Sequence, residues 1–349
     1  MKTELLSTLA IDAPIVQAPM AGVSTPEMAA AVSNAGALGS ISVGATTATK
    51  AREAIRVFRS RSSRSLNVNV FCHARARADM EREARWIERF RGEIESFGGS
   101  VPEALGEIYT SFVDDDAMLA MLCEEKPKVV SFHFGLPPRA RIDALHAAGI
   151  VLLGTATSLT EARALDAAGI DAIVAQGYEA GGHRGVFDPE VDDRIGTLAL
   201  TRLLVEATDR PVIAAGGIMD GAGISAALRL GAAAAQLGTA FVACPESSAD
   251  PAHRAALVSS AGHHTFVTRA ISGRPARSVA SRWLDVRVSD AEVPAYPIAY
   301  DLGKALHAAA RARGEAGFGA FWAGQGAPLA RAMPAAELVA TLRRELAGA

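Results

Sequence analysis

An α/β fold, a closed TIM (β/α)8 barrel with a small inserted lid after the eighth strand, is predicted by three features of the sequence. Eight short apolar runs recur at 15–18, 37–41, 66–71, 129–132, 151–154, 172–176, 212–215 and 234–238, and within them apolar residues do not alternate with polar ones. Alanine-rich amphipathic stretches lie between runs and stop at a glycine, as in SNAGALGSI, HAAGIVLLGT, DAAGIDAIVAQG and RLGAAAAQLGT. Of 349 residues half are hydrophobic but only 5% aromatic, the balance of many short buried strands under alanine-rich helices. Strands buried on both faces and joined by helices pair in parallel, and eight of them close economically into a cylinder. An open doubly wound sheet is the alternative.

The elements follow in order. After the first run, Ser24-Thr25-Pro26-Glu27 has the spacing of a capping box with proline in the first turn, and Met28, Ala31, Val32 and Ala35 then recur at helical spacing. Ser158 and Glu161 repeat the device. Gly36, Gly149, Gly169 and Gly231 occupy helix stops, where a left-handed residue is needed and glycine adopts it most easily. Two intervals exceed a simple barrel connection. Residues 72–128 contain charged, helix-like stretches such as REARWIERFRGEIESF and predict helical decoration. Residues 246–297 predict the lid, leaving 1–245 and 298–349 as the barrel.

Charge and composition exclude several classes. With 35 basic and 38 acidic residues the chain has no field to attract a polyanion, so no nucleic-acid partner is expected. The basic stretch 52–64 reads as the solvated face of a helix. MKTELLSTLAIDAP has no signal-peptide core, and the apolar stretch 231–244 is broken by Gln236 and glycines, so a cytoplasmic protein without membrane contact is expected. Cys72, Cys123 and Cys244 share no ligand spacing, which predicts neither disulfides nor a metal site.

In such barrels chemistry gathers at the carboxyl ends of the strands, with phosphate commonly bound after the seventh and eighth. There the sequence has Gly216 and Gly217, then Gly238 and Thr239, backbone that can approach an anion closely, with a helix N-terminus behind it and a hydroxyl beside it. Asn69 and Gln176 are amides at strand positions where aliphatic residues would be ordinary, and amides can read both donors and acceptors of a flat heterocycle. The segment from Ala18 through Met20 to Gly22 adds small apolar surface. A flavin mononucleotide (FMN) would use all three features.

The motifs PIVQAPMAGVSTPEMAAAVSNAGALGSI, NVNVF, SFHFG, AQGYEAGGHRG, PVIAAGGI, AQLGTAF, SGRPAR and FWAGQGAPLAR then give the chain a specific likeness. From Pro14 to Arg331 it resembles the class I branch of the FMN-dependent nitronate monooxygenases, formerly called 2-nitropropane dioxygenases. The resemblance implies a TIM barrel that oxidises alkyl nitronates such as propionate 3-nitronate with O2 to carbonyl products and nitrite or nitrate. It implies His183 as the catalytic residue, and FMN contacts at Asn69, Gln176, Gly181, Gly217, Gln236, Leu237, Gly238 and Thr239. The same barrel occurs in NAD(P)H-dependent FMN quinone or enoyl reductases, the alternative function. Dehydrogenases of the inosine-monophosphate type need a cysteine on the loop after strand six, and this loop has none.

Residue chemistry adds detail. Gly181 and Gly182 let the backbone pass close to the flavin while the His183 ring projects over it. An imidazole near neutrality can take an α-proton from a nitroalkane or, protonated, hold an anionic nitronate. His133, closing strand four, either orients substrate or is a satisfied strand-end histidine. Tyr296, Tyr300 and Lys304, spaced by four, predict two hydroxyls and an ammonium on one helix face toward an anionic substrate. A monomer or homodimer is expected.

Overall fold

A computed structural model describes residues 2–349. Eight parallel strands form the barrel: β1 (Ile15–Gln17), β2 (Gly39–Ser42), β3 (Leu66–Phe71), β4 (Val129–His133), β5 (Val151–Ala156), β6 (Ala172–Gln176), β8 (Val212–Ala215) and β9 (Ala234–Leu237). They pair in the order β1-β9-β8-β6-β5-β4-β3-β2. A parallel bridge from Val16 to Leu38 closes the ring, with the Gln17 amide donating to the Leu38 carbonyl at 2.9 Å. Each of the eight apolar runs is a strand. A second, antiparallel sheet joins β7 (Gly182–His183), β10 (Thr265–Thr268) and β11 (Ala276–Val279) in the order β10-β11-β7.

The unbroken hydrophobicity of the runs has a direct cause. On β6, Ile173 and Ala175 pack outward against the helices, while Ala172 and Val174 pack inward with Val16, Leu153 and Ile213. The period-two geometry of a strand sends alternate residues to two different cores, and both are apolar. Leu5 and Leu9 of the first helix, Lys2–Leu9, pack into the inner core. Toward the carboxyl ends of the strands the inward positions turn polar, at Asn69, Ser131, His133, Thr155, Gln176 and Gln236, and this layer floors the cavity.

The helix stops are as expected, with Gly36, Gly149, Gly169 and Gly231 all at positive φ. The first cap differs. Thr25, not Ser24, caps Pro26–Asn34 by accepting from the Met28 amide, because the Ser24 hydroxyl is engaged by Gln17 and the Met20 amide. Of the helices in 72–128, Asp116–Glu125 packs on the barrel through Met118, Met121 and Leu122. The other, Met80–Ser96, contributes Trp86, Ile87, Phe90 and Ile94 to a separate small core with Ile271, Trp283, Leu302 and Phe318. The segment 246–297 thus shares its apolar packing with Met80–Ser96 and with the helix Ile298–Ala312. Among the described residues no helix is long and apolar enough to cross a membrane, and no group of His, Cys, Asp and Glu could hold a metal.

The start of β2 is sterically closed. A Cβ on Gly39 would lie 2.0 Å from the Ala29 carbonyl oxygen, a backbone atom of the helix packed on it. Gly39→Ala is expected to destabilise the barrel by about 1–3 kcal/mol, read as a lowered urea midpoint with unchanged slope.

Candidate active site

The carboxyl ends of the strands surround a cavity of about 430 Å³, within the range of small-molecule sites. Its lining includes Ala18, Met20, Asn69, His133, Gln176, Gly181, Gly182, His183, Gly216, Gly217, Gln236, Gly238, Thr239, Tyr296, Tyr300 and Lys304. Of the residues expected at the site only Leu237 is elsewhere: its side chain falls on the outward parity of β9, among Ile224, Phe241 and Leu342. Its carbonyl accepts from the Ala18 amide at 2.8 Å.

His183 is held by its backbone. As part of β7 it pairs with Ala276 of β11. Its carbonyl accepts from Gln176 Nε2 at 3.0 Å and faces His133 Nε2 at 3.3 Å. Gln176 Oε1 accepts from the Gly185 amide at 2.7 Å and from Arg184 at 3.1 Å. The amide expected to read a heterocycle is therefore largely committed to the loop that carries the histidine. Asn69 is similarly engaged, donating to the Ser131 carbonyl and hydroxyl at 3.0 Å each. The glycines permit this closeness. A Cβ on Gly181 would sit 2.5 Å from the Ala323 carbonyl carbon, and Gly182 has φ +72°.

The ring of His183 is surrounded by aromatic side chains: Trp322 at 5.1 Å between centroids, Tyr296 at 5.5 Å, Phe134 at 5.6 Å and Tyr300 at 6.2 Å. Its accessible surface faces the cavity rather than bulk water. Burial, with His133, Arg274 and His73 nearby, lowers its pKa to about 3. A pKa lowered that far favours the neutral imidazole over the imidazolium. His133 is neutral too, lowered to about 4 chiefly by burial. Both of its ring nitrogens have protein partners, Nδ1 lying 3.2 Å from Thr155 Oγ1, so it supports the His183 backbone.

Among the described residues no Asp or Glu lines the cavity, although the chain as a whole is acidic. Lys304 Nζ lies 4.6 Å from the Tyr109 ring centroid and 5.3 Å from that of Tyr300, and burial lowers its pKa. Tyr300 and Lys304 share the helix Ile298–Ala312, whereas Tyr296 precedes it across Pro297 and still reaches the cavity. Behind the wall, the Arg274 guanidinium sits 4.3 Å from the Phe134 centroid and donates to the Val186 carbonyl, with its pKa lowered to about 10 by burial.

Gly216 (φ +122°), Gly217 (φ +71°) and Gly238 add bare backbone to the cavity lining. A Cβ on Gly238 would meet Ala18 Cβ at 3.4 Å and Met20 Sδ at 3.6 Å, narrowing the floor there. The helix Gly221–Arg229 has two of its first amides occupied, Gly221 by Glu345 at 2.9 Å and Gly223 by Asp220 at 2.8 Å, while the short helix Thr239–Val242 starts directly from Gly238 on the cavity lining. Thr239 Oγ1 accepts from the Gly324 amide at 2.9 Å, which leaves its proton free to donate. A cradle of bare backbone beside amides and an apolar wall suits a phosphate-bearing flat heterocycle.

Sequence reasoning missed Tyr109, Phe134, Ser272, Arg274 and Trp322. SFHFG, SGRPAR and FWAGQG contain four of them, but a motif alone gives no direction to a side chain. Tyr109 lies in the long interval 72–128, in no motif.

Fold and cavity define a TIM barrel with a small-molecule site at the carboxyl ends of its strands. The family model described as nitronate monooxygenase matches residues 2–345. A nitronate monooxygenase of Paraburkholderia phytofirmans is 60% identical over 99% of this chain and 95% of its own. One of Pseudomonas aeruginosa is 54% identical over 97% and 98%. The chain belongs to the nitronate monooxygenase family. Among solved structures, nitroalkane oxidase from Streptomyces ansochromogenes superposes with TM-score 0.87 at 42% identity, covering 99% of this chain and 98% of that one. FabK from Thermotoga maritima is more distant, with TM-score 0.75 at 29% identity over 99% and 96%.

Acid should loosen this structure. His73, His133, His183 and His253 have folded pKa values lowered to about 4, 4, 3 and 4 against an ordinary 6.5, each mainly by burial. The unfolded chain therefore takes up protons first, so the stability these rings contribute is whole above pH 6.5 and is lost progressively toward pH 4. Unfolding midpoints should fall across that window, and less steeply in His73→Phe.

Proposed function

We propose that this protein is an FMN-dependent nitronate monooxygenase, oxidising small anionic alkyl nitronates such as propionate 3-nitronate with O2. The observation that carries the substrate class is the cavity's charge: among the described residues one lysine, a buried arginine behind the wall, and no carboxylate. The backbone of Gly217, Gly238 and Thr239 would hold the FMN phosphate, and Gln236, with the second Nε2–H of Gln176 and a lone pair on the Oδ1 of Asn69 that their protein contacts leave over, would meet the polar edge of the ring. When bound, the flavin supplies the electron transfer to oxygen. We assign the protein to the cytoplasm as a monomer or homodimer, with 246–297 as a lid over the mouth.

The chain's own residues bind, orient and exclude water. Lys304, partly desolvated over two tyrosine rings, attracts the anion. Phe134, Tyr296, Tyr300 and Trp322 wall the reacting carbon from bulk solvent and strengthen every charge interaction inside. Neutral His183 acts as a base toward the α-proton of a nitroalkane, and the resulting imidazolium stands beside the nitronate, an ion pair that offsets the cost of charging a buried ring.

Oxygen consumption with propionate 3-nitronate tests the reading. With the neutral nitroalkane in place of its nitronate, so that the α-proton must first be removed, His183→Asn should lower turnover at least about a hundredfold with the protein still yellow; undiminished turnover would remove the histidine from the chemistry. Lys304→Met should raise the KM for the nitronate roughly tenfold and change kcat far less. Purified protein that is colourless and cannot take up FMN would sink the proposal.

A further inference from the structure

The loop 271–275 brings one hydroxyl to His183. Ser272 is fully buried, and its Oγ lies 2.9 Å from His183 Nε2. The same oxygen is within 3.3 Å of the Arg274 carbonyl and 3.4 Å of the Arg274 amide. The loop is fixed in place. Gly273 has φ +91° and packs so closely on 294–296 that a Cβ would lie 2.6 Å from the Pro294 oxygen, while the Pro275 carbonyl accepts from the Arg184 amide at 2.8 Å.

A serine hydroxyl has one proton and two lone pairs, and here it meets three groups. If the proton goes to the Arg274 carbonyl, the lone pairs accept from the Arg274 amide and from His183 Nε2–H, and all three are satisfied. If it goes to Nε2 instead, the Arg274 carbonyl loses its one donor among the described residues, and a buried carbonyl without a donor is unfavourable. The other nitrogen of His183, Nδ1, has no protein partner among the described residues, and the ring lines the cavity.

We propose that Ser272 is a positioning residue that fixes the tautomer of His183, with the proton on Nε2 and the bare Nδ1 turned toward the substrate. The proposal deepens the reading of His183 as a base and rests on it for its functional meaning. It names the accepting atom: the α-proton of a nitroalkane passes to Nδ1, its C–H electron pair stays on the nitronate, and the imidazolium then carries protons on both nitrogens. It also separates two tasks, because the neutral ring, with a lone pair facing the cavity, cannot donate to the oxygen of an entering nitronate, which leaves that donation to Lys304 until Nδ1 has taken a proton.

The test reads the tautomer directly. Flavin-loaded protein labelled with 15N in its histidines is examined by long-range 1H–15N correlation at pH 7.5, with His183→Asn identifying the residue by the pattern it removes. Wild type should show His183 protonated at Nε2 and bare at Nδ1. Ser272→Ala should lose that preference, and Ser272→Thr, which keeps a hydroxyl, should restore it. An Nδ1-protonated wild type overturns the proposal outright, even should the alanine variant fail to fold, and so does a Ser272→Ala protein with the wild-type tautomer. The two readings fail separately. Full turnover by His183→Asn ends the base assignment whatever the tautomer, whereas an Nδ1-protonated ring in an enzyme that His183→Asn inactivates ends only the role of Ser272.

Discussion

The mouth of this barrel is organised around one buried guanidinium, that of Arg184. Fully removed from solvent, it forms a two-pronged pair with Asp192 at 2.9 and 3.1 Å. Its remaining arm donates to the carbonyls of Gln176 and Gly177 and to Gln176 Oε1. A charge in that position is tolerated only when its donors are matched, and removing a partner would leave it uncompensated. Because the acceptors belong to the end of β6 and the donor to the loop just beyond, satisfying the cation folds residues 176–192 back on themselves. The position of His183, next in sequence to Arg184, follows from that requirement.

Two further arginines extend the clamp. Arg277 donates twice to the Tyr178 carbonyl, and Arg274 donates to the Val186 and Phe187 carbonyls. Glu161, at the start of the helix after β5, takes the Phe187 amide at 2.7 Å and so ties the same loop to the outer layer. The backbone that carries the histidine is thus fixed from several directions, in keeping with a site that depends on position. Positive charge accumulates near the cavity as a consequence, and the histidines there are neutral.

The electrostatic character of the cavity therefore has a structural origin as well as a chemical use. Arg184 has its countercharge in Asp192, but Arg274 and Arg277 hold the loops by carbonyl oxygens, which carry none, so the field of these two is less fully cancelled toward the cavity. An anion entering from solvent meets that field and Lys304, inside walls that exclude water. A neutral imidazole in the same place keeps a lone pair for proton chemistry.

Much of the fold was legible in the sequence, because eight unalternating apolar runs and glycine-stopped helices are local features and a parallel barrel follows from them. The glycines of the cavity and the amides at strand ends were legible for the same reason, since strand parity places Asn69, Gln176 and Gln236 inward and Leu237 outward. The use of those amides was decided elsewhere: Gln176 and Asn69 are engaged by neighbours distant in sequence or beyond a turn. Likewise Tyr109, Ser272, Arg274 and Trp322 meet around His183 from segments 74 to 139 residues away. Periodicity determined which residues face the barrel axis, because backbone geometry is local. Only the tertiary structure decided which partners each polar group has and how far the histidine's charge is suppressed, because burial and hydrogen bonding arise between segments that the sequence keeps apart.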